Sequence, residues 1–215
     1  MKKILVLSII AILFCGSMQA QKNFYPAIIY QTDGKEIECL AKAIKVIGEK
    51  EVTYKLNKDN KPLKMKSINI KTIRYVLEND TEIEYDYCPI INIANVTKGS
   101  QKIRGTIWLE VKQRGPATLY HTEETYRKKD RSGTYSTYKV HNYYCKRESE
   151  EAASNLLTSS SRGIAIANNF HKIAPEYFAD SPSISENIRN KEKGYKAEDI
   201  VAIVREYNAE KLAQQ

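Results

Sequence analysis

His121 and Glu123 stand two residues apart in a β-forming stretch, and His141 lies in the stretch that follows. Side chains two apart on a strand project from the same face. A hairpin joining the two stretches would therefore set two imidazoles and a carboxylate side by side, a donor set that zinc accepts. The same pattern is ordinary on a solvated β face, and no further ligand is identifiable. No metal and no other cofactor is assigned. Cys145 with His141 makes a weaker nucleophile–base pair, because four residues along a strand span ~13 Å. The acidic residues Glu78, Asp80, Glu82, Glu84 and Asp86 alternate as a cation site might. A calcium loop, however, curls roughly six to eight oxygens around one point, whereas a strand spreads them. Ion pairing with Arg74 and neighbouring lysines accounts for the row.

Other catalytic signatures are missing from the sequence. It contains no glycine-rich phosphate loop, no Gly-x-Ser-x-Gly elbow and no His-Glu-x-x-His pair. No catalytic residue is assigned, and the expectation is a protein that is not an enzyme.

Its cations are segregated. From Lys42 to Arg74, ten Lys and Arg residues stand against only Glu49, Glu51 and Asp59. A second group, Arg127, Lys128, Lys129 and Arg131, precedes Tyr135, Tyr138, Tyr143 and Tyr144. Cations interleaved with aromatic rings bind polyanions through charge and stacking. The candidate contacts are Lys55, Lys64, Lys66, Arg127, Lys128, Lys129 and Arg131. Lysine predominates over arginine, which favours a hydrated surface over forked phosphate recognition.

The elements that must position these groups are mostly short strands. Asp33-Gly34 between two apolar runs signals a hairpin; a two-residue turn there pairs Tyr30 with Ile37 and Ile28 with Cys39, burying all four. Glu51–Leu56 and Leu63–Lys66 read as a second hairpin with a basic outer face. Thr72–Leu77 and Glu82–Tyr87 form a third. Its three-residue loop sets Arg74 beside Glu84 and Tyr75 beside Ile83, since a one-residue slip would turn the apolar set outward. Thr106–Lys112 is a strand, and Ala117–Tyr126 with Thr134–Cys145 makes a long hairpin. Beyond Arg147 the composition turns helical, over Glu150–Leu157 behind Ser149 and over Ile164–Tyr177. Asp180-Ser181-Pro182 resembles a helix start, with a capping box at Ser183 and Glu186 and an end at Gly194. In the last helix Ile200, Ile203, Val204 and Tyr207 share one face.

Strands followed by helices imply an α+β fold. Its antiparallel, hairpin-rich region spans residues 24–147, as a sheet or partly closed barrel, and a C-terminal helical segment spans 148–215. Residues 1–20 read as a signal peptide. Lys2 and Lys3 precede the eleven-residue apolar run Ile4–Phe14, then small and polar residues lead to a cut after Ala20. The run is well short of the ~20 residues that span a bilayer. Cys15 raises lipidation as the lesser alternative, because the bulky Phe14 precedes it. The chain carries 34 basic and 26 acidic residues, and without Lys2 and Lys3 the net charge is +6. Cys39, Cys88 and Cys145 remain after cleavage, and the sequence leaves their pairing open. Export places the protein in the periplasm, at the cell surface or outside the cell.

The stretch EYFADSPSISENIRNKEKGYKAEDIVAIVREYN resembles the tail of uncharacterised exported proteins of Bacteroidetes-type bacteria. Those proteins also carry a signal peptide ending in Ala-Gln and an Asp-Gly hairpin, here Ala20-Gln21 and Asp33-Gly34. The resemblance implies an envelope or secreted location and no particular activity. Relatives often have Asp-Cys-Pro where this chain has Asp180-Ser181-Pro182, which implies a bridge absent here. The expectation is a non-enzymatic interaction protein of the cell envelope or surface. Its partner would be an envelope protein or, alternatively, a polyanionic glycan or lipid headgroup held by the basic, tyrosine-rich surface. Nucleic acid is not an expected partner, nor is a transmembrane segment expected in the mature chain.

Overall fold

The computed structural model describes residues 24–77, 81–92, 103–129, 133–160 and 170–214. The alternating segments become ten strands: β1 (Tyr25–Gln31), β2 (Glu36–Ala41), β3 (Glu51–Lys55), β4 (Leu63–Lys66), β5 (Ile70–Val76), β6 (Glu82–Asn92), β7 (Ile103–Gln113), β8 (Ala117–Lys129), β9 (Tyr135–Arg147) and β10 (Ala153–Ser160). Three helices follow: α1 (Phe170–Tyr177), α2 (Pro182–Asn190) and α3 (Ile200–Ala213). The strand order is β10-β9-β8-β7-β6-β5-β1-β2-β3-β4. Most pairings are antiparallel, but β10 also pairs in parallel with β6, Ala153 opposite Ile90. That pairing closes β6–β10 into a five-stranded barrel, and the remaining strands continue the sheet outward from β6. The fold is α+β. No helix among the described residues is long and apolar enough to cross a membrane.

Three apolar clusters hold these layers together. Cys88, Leu109, Tyr120, Tyr144 and Ala153 fill the barrel. Ile29, Ile73, Tyr75 and Trp108 belong to the cluster under β1–β5. Leu119, Cys145 and Leu156 receive the three helices on the barrel's outer face. Trp108 and Leu109, adjacent on β7, are both fully buried because each face of that strand is covered. The 42–50 segment crosses there: the Trp108 amide donates to the Ile47 carbonyl at 2.7 Å and its indole to Glu49 O at 3.1 Å.

Several sequence expectations are corrected. In the first hairpin Ile29 faces Ile37 and Ala27 faces Cys39, one residue out of the expected register. The loop is three residues long, with Gly34 at φ +86° and the Lys35 amide held by Asp33 Oδ1 at 3.1 Å. Ala27, Ile29 and Cys39 are therefore buried, while Ile28 and Tyr30 are half-buried on the opposite face. The third hairpin keeps its expected register, Arg74 opposite Glu84 and Tyr75 opposite Ile83.

The helix expected over Glu150–Leu157 is replaced by a turn and β10. Glu150 is drawn back onto Arg147, whose amide donates to it at 2.8 Å. Beyond it, free edges of both β9 and β6 await the chain. Pairing on two sides outweighs the helical propensity of Ala and Leu. Pro182 begins α2 as expected, but its N-cap is Ser181, whose hydroxyl donates to Glu210. Ser183 lies inside the helix, so the Ser183–Glu186 capping box does not form. The helix stops at Asn190 on the left-handed Lys191, three residues before Gly194. The start of the helix expected from Ile164 lies outside the described residues up to 169.

Candidate binding surface

Strands β8 and β9 outrun the barrel that supports them. On one side β7 pairs with β8 only as far as His121, opposite Glu110. On the other, β10 pairs with β9, among the described residues, as far as Val140, opposite Ser160. From Glu123 to Lys129 and from Lys139 back to Tyr135, the strand pairings among the described residues are those of β8 with β9. Six residue steps make this a two-stranded arm about 20 Å long.

Each arm face carries aromatic rings and cations. On one face the Arg127 guanidinium lies 4.0 Å from the Tyr135 ring centroid, and Lys129 Nζ lies 5.5 Å from it. On the other, Tyr126 and Tyr138 stack at 5.7 Å. Tyr126 and Tyr135 are 42% and 53% exposed. Among the described residues no carboxylate pairs with Arg127, Lys128 or Lys129. Arg131 lies outside the described residues.

At the arm's root the expected cluster assembles. His121 Nε2 is 3.1 Å from His141 Nδ1, and the rings stack at 5.4 Å. Glu123 Oε2 is 3.7 Å from His141 Nδ1, and Lys139 holds the same carboxylate at 2.6 Å. Glu110, which the sequence reading missed, brings Oε2 within 3.6 Å of His121 Nδ1. Its only advance signal was an acidic residue beside the apolar Leu109, and its approach to His121 depends on the β7–β8 register. His121 first, then Lys112, holds the Glu110 carboxyl below its ordinary value against the cost of burial. The histidines aim at one another, and no group of three or more such side chains among the described residues is arranged to hold a metal ion.

The lysines of the other basic region are placed differently. Lys64 is paired with Glu51 at 2.9 Å, and Lys66 lies opposite Glu51 at the end of β4. Lys55 Nζ sits 5.1 Å from the Phe24 ring. These three belong to β3 and β4, at the far end of the strand order from the arm, so the fold leaves two separate basic regions.

Glu82, Glu84 and Asp86 are neutralised by arginine. Arg74 holds Glu84 at 2.7 Å, and Arg114 grips both Asp86 oxygens at 2.6 and 2.8 Å. Thr72 and Tyr120 also donate to Asp86. Glu78 and Asp80 lie outside the described residues. Cys145 is fully buried and its thiol is pushed well up by burial, which rules it out as a nucleophile beside His141. Burial also pushes Cys39 and Cys88 up to about 11. The three thiols occupy three different apolar clusters and are unbridged. No family model, curated protein or solved structure matches this chain.

Proposed function

We propose that the protein is an exported, non-enzymatic interaction protein of the cell envelope or surface, and that the β8–β9 arm is the element it offers to its partner. The observation that carries this reading is the arm itself. It is two strands that, among the described residues, run on past their pairings with β7 and β10, with Tyr126 and Tyr135 exposed on opposite faces. Rigid tyrosines supply contact area at low entropic cost, and exposed aromatic rings mark interaction surfaces. The order of charged, apolar and small residues before Gln21 supports export.

A second reading takes the partner as a polyanionic glycan or lipid headgroup. It is favoured by Arg127, Lys128 and Lys129, which stand together without a carboxylate among the described residues, while Lys64 is already paired. The test is recovery of partners from the native envelope by the tagged protein, washed at low and then high salt. The interaction reading expects a partner at fixed stoichiometry through high salt, lost from a Tyr126→Ala/Tyr135→Ala variant. Material shed as salt rises, and lost from Arg127→Ala/Lys129→Ala, supports the polyanion reading instead. Equal recovery by the wild type and both variants overturns the arm as the binding element.

A further inference from the structure

We propose that His121 and His141 form a proton-sharing latch at the root of the arm, closed while one ring donates to the other and opened when both rings are protonated. The pair is diagonal across two strands, with His121 opposite Tyr143 and His141 opposite Glu123. An N–H···N bond at 3.1 Å exists only while one of the two facing nitrogens is bare. A proton on each sets N–H against N–H and two cations on rings 5.4 Å apart. The bond is then lost and the rings must separate.

The surroundings decide which ring moves. His121 is 12% exposed and lies against Tyr143, 4.9 Å between centroids. His141 is 30% exposed and is the ring free to swing outward. The closed form also carries a standing cost, since His121 Nδ1 is buried with no hydrogen-bond partner. Glu110 Oε2 lies 3.6 Å from that nitrogen, so a proton on it faces a carboxylate. The charged neighbours among the described residues bear on the opening. Glu110, shared with Lys112 on β7, stabilises a charged His121; Glu123, shared with Lys139, receives a charged His141. Lys45 and Tyr85 line the small cavity beside His121, and Ser159 of β10 lies opposite His141.

The latch spans the last rungs at which, among the described residues, β7 and β10 pair with the hairpin, so its opening loosens the root of the arm. The inference concerns the arm's anchorage and stands whatever the arm binds.

Two measurements on the full chain test it. Imidazole nitrogen spectra should show a ring-to-ring N–H···N bond that vanishes once acid has protonated both rings. Amide hydrogen exchange over residues 122–125 and 138–142, corrected for intrinsic pH dependence, should lose protection roughly fivefold as that bond is lost, the worth of one hydrogen bond. A His141→Gln variant, which cannot take the second charge, should keep its protection constant. A ring-to-ring bond that persists in acid, unchanged wild-type protection, or an equal loss in His141→Gln each overturns the latch.

Discussion

Gly115→Ala should unfasten the last helix from the barrel although it adds only a methyl group. Ala117, the first residue of β8, pairs with Arg147 on β9, but β7 ends its pairing at Leu119. The side chain of Asn208 on α3 takes the missing place. Its Oδ1 accepts from the Ala117 amide at 2.8 Å and its Nδ2 donates to the Ala117 carbonyl at 2.9 Å, both buried. A Cβ on Gly115 would lie 2.3 Å from Asn208 Nδ2 and 2.6 Å from Cγ, so the amide must leave. Two buried backbone groups then lose their partners, at about 1–3 kcal/mol each, or about 2–6 kcal/mol together. Asn208→Ala strands the same two groups and should cost about the same. The double variant has nothing left for the new methyl to strike, so it should cost no more than Asn208→Ala alone. Independent effects would instead sum to about 4–12 kcal/mol. Urea unfolding of the four proteins, compared at equal m-value, measures the cycle. An additive cycle, or a Gly115→Ala protein within about 0.5 kcal/mol of wild type, refutes the reasoning.

Three further outcomes are expected. Asp86→Asn should lower stability by about 2–3 kcal/mol in thermal unfolding, because Arg114 loses its paired charge; the figure is kept low because the Arg114 side chain is 46% exposed. An aromatic disulfide reagent at neutral pH should leave Cys39, Cys88 and Cys145 unlabelled in the native protein and label all three after denaturation. Labelling of native Cys145 would contradict its burial. Burial alone would raise the Asp180 carboxyl, yet the Tyr207 hydrogen bond and the charges of Arg147 and Lys211 hold it below its ordinary value. Its stabilising contribution is therefore full above the usual aspartate value near pH 4 and lost as pH falls through the lower folded value. Acid titration of stability should show that limb in wild type and a flatter one in Arg147→Ala.

Where faces alternate cleanly, pairing can be read from sequence alone. Arg74 opposite Glu84 follows from keeping Tyr75 and Ile83 on one face, and no distant residue is needed to decide it. The first hairpin was harder. Its Asp-Gly signal is real, but both candidate registers bury apolar residues, and β5 chooses by pairing Ile29 with Ile73. The meeting of His121, Glu123 and His141 was legible because all three belong to one long hairpin. Glu110 was not, because it reaches His121 from another strand whose register a bulge between Val111 and Gln113 resets. The two basic regions looked alike in composition, and only placement showed Lys64 neutralised by Glu51 and Arg127 stacked on Tyr135.

Local periodicity by itself determined most strands, the long β8–β9 hairpin, the buried face of α3 and the α+β class. These depend on neighbours within a few residues, where backbone geometry repeats every two residues or every 3.6. Tertiary structure alone decided that residues 153–160 form a strand, that this strand closes the barrel, and that Asn208 completes the edge of β8. Each of those outcomes satisfies backbone groups with partners far away in sequence, and no local pattern records where such partners will be.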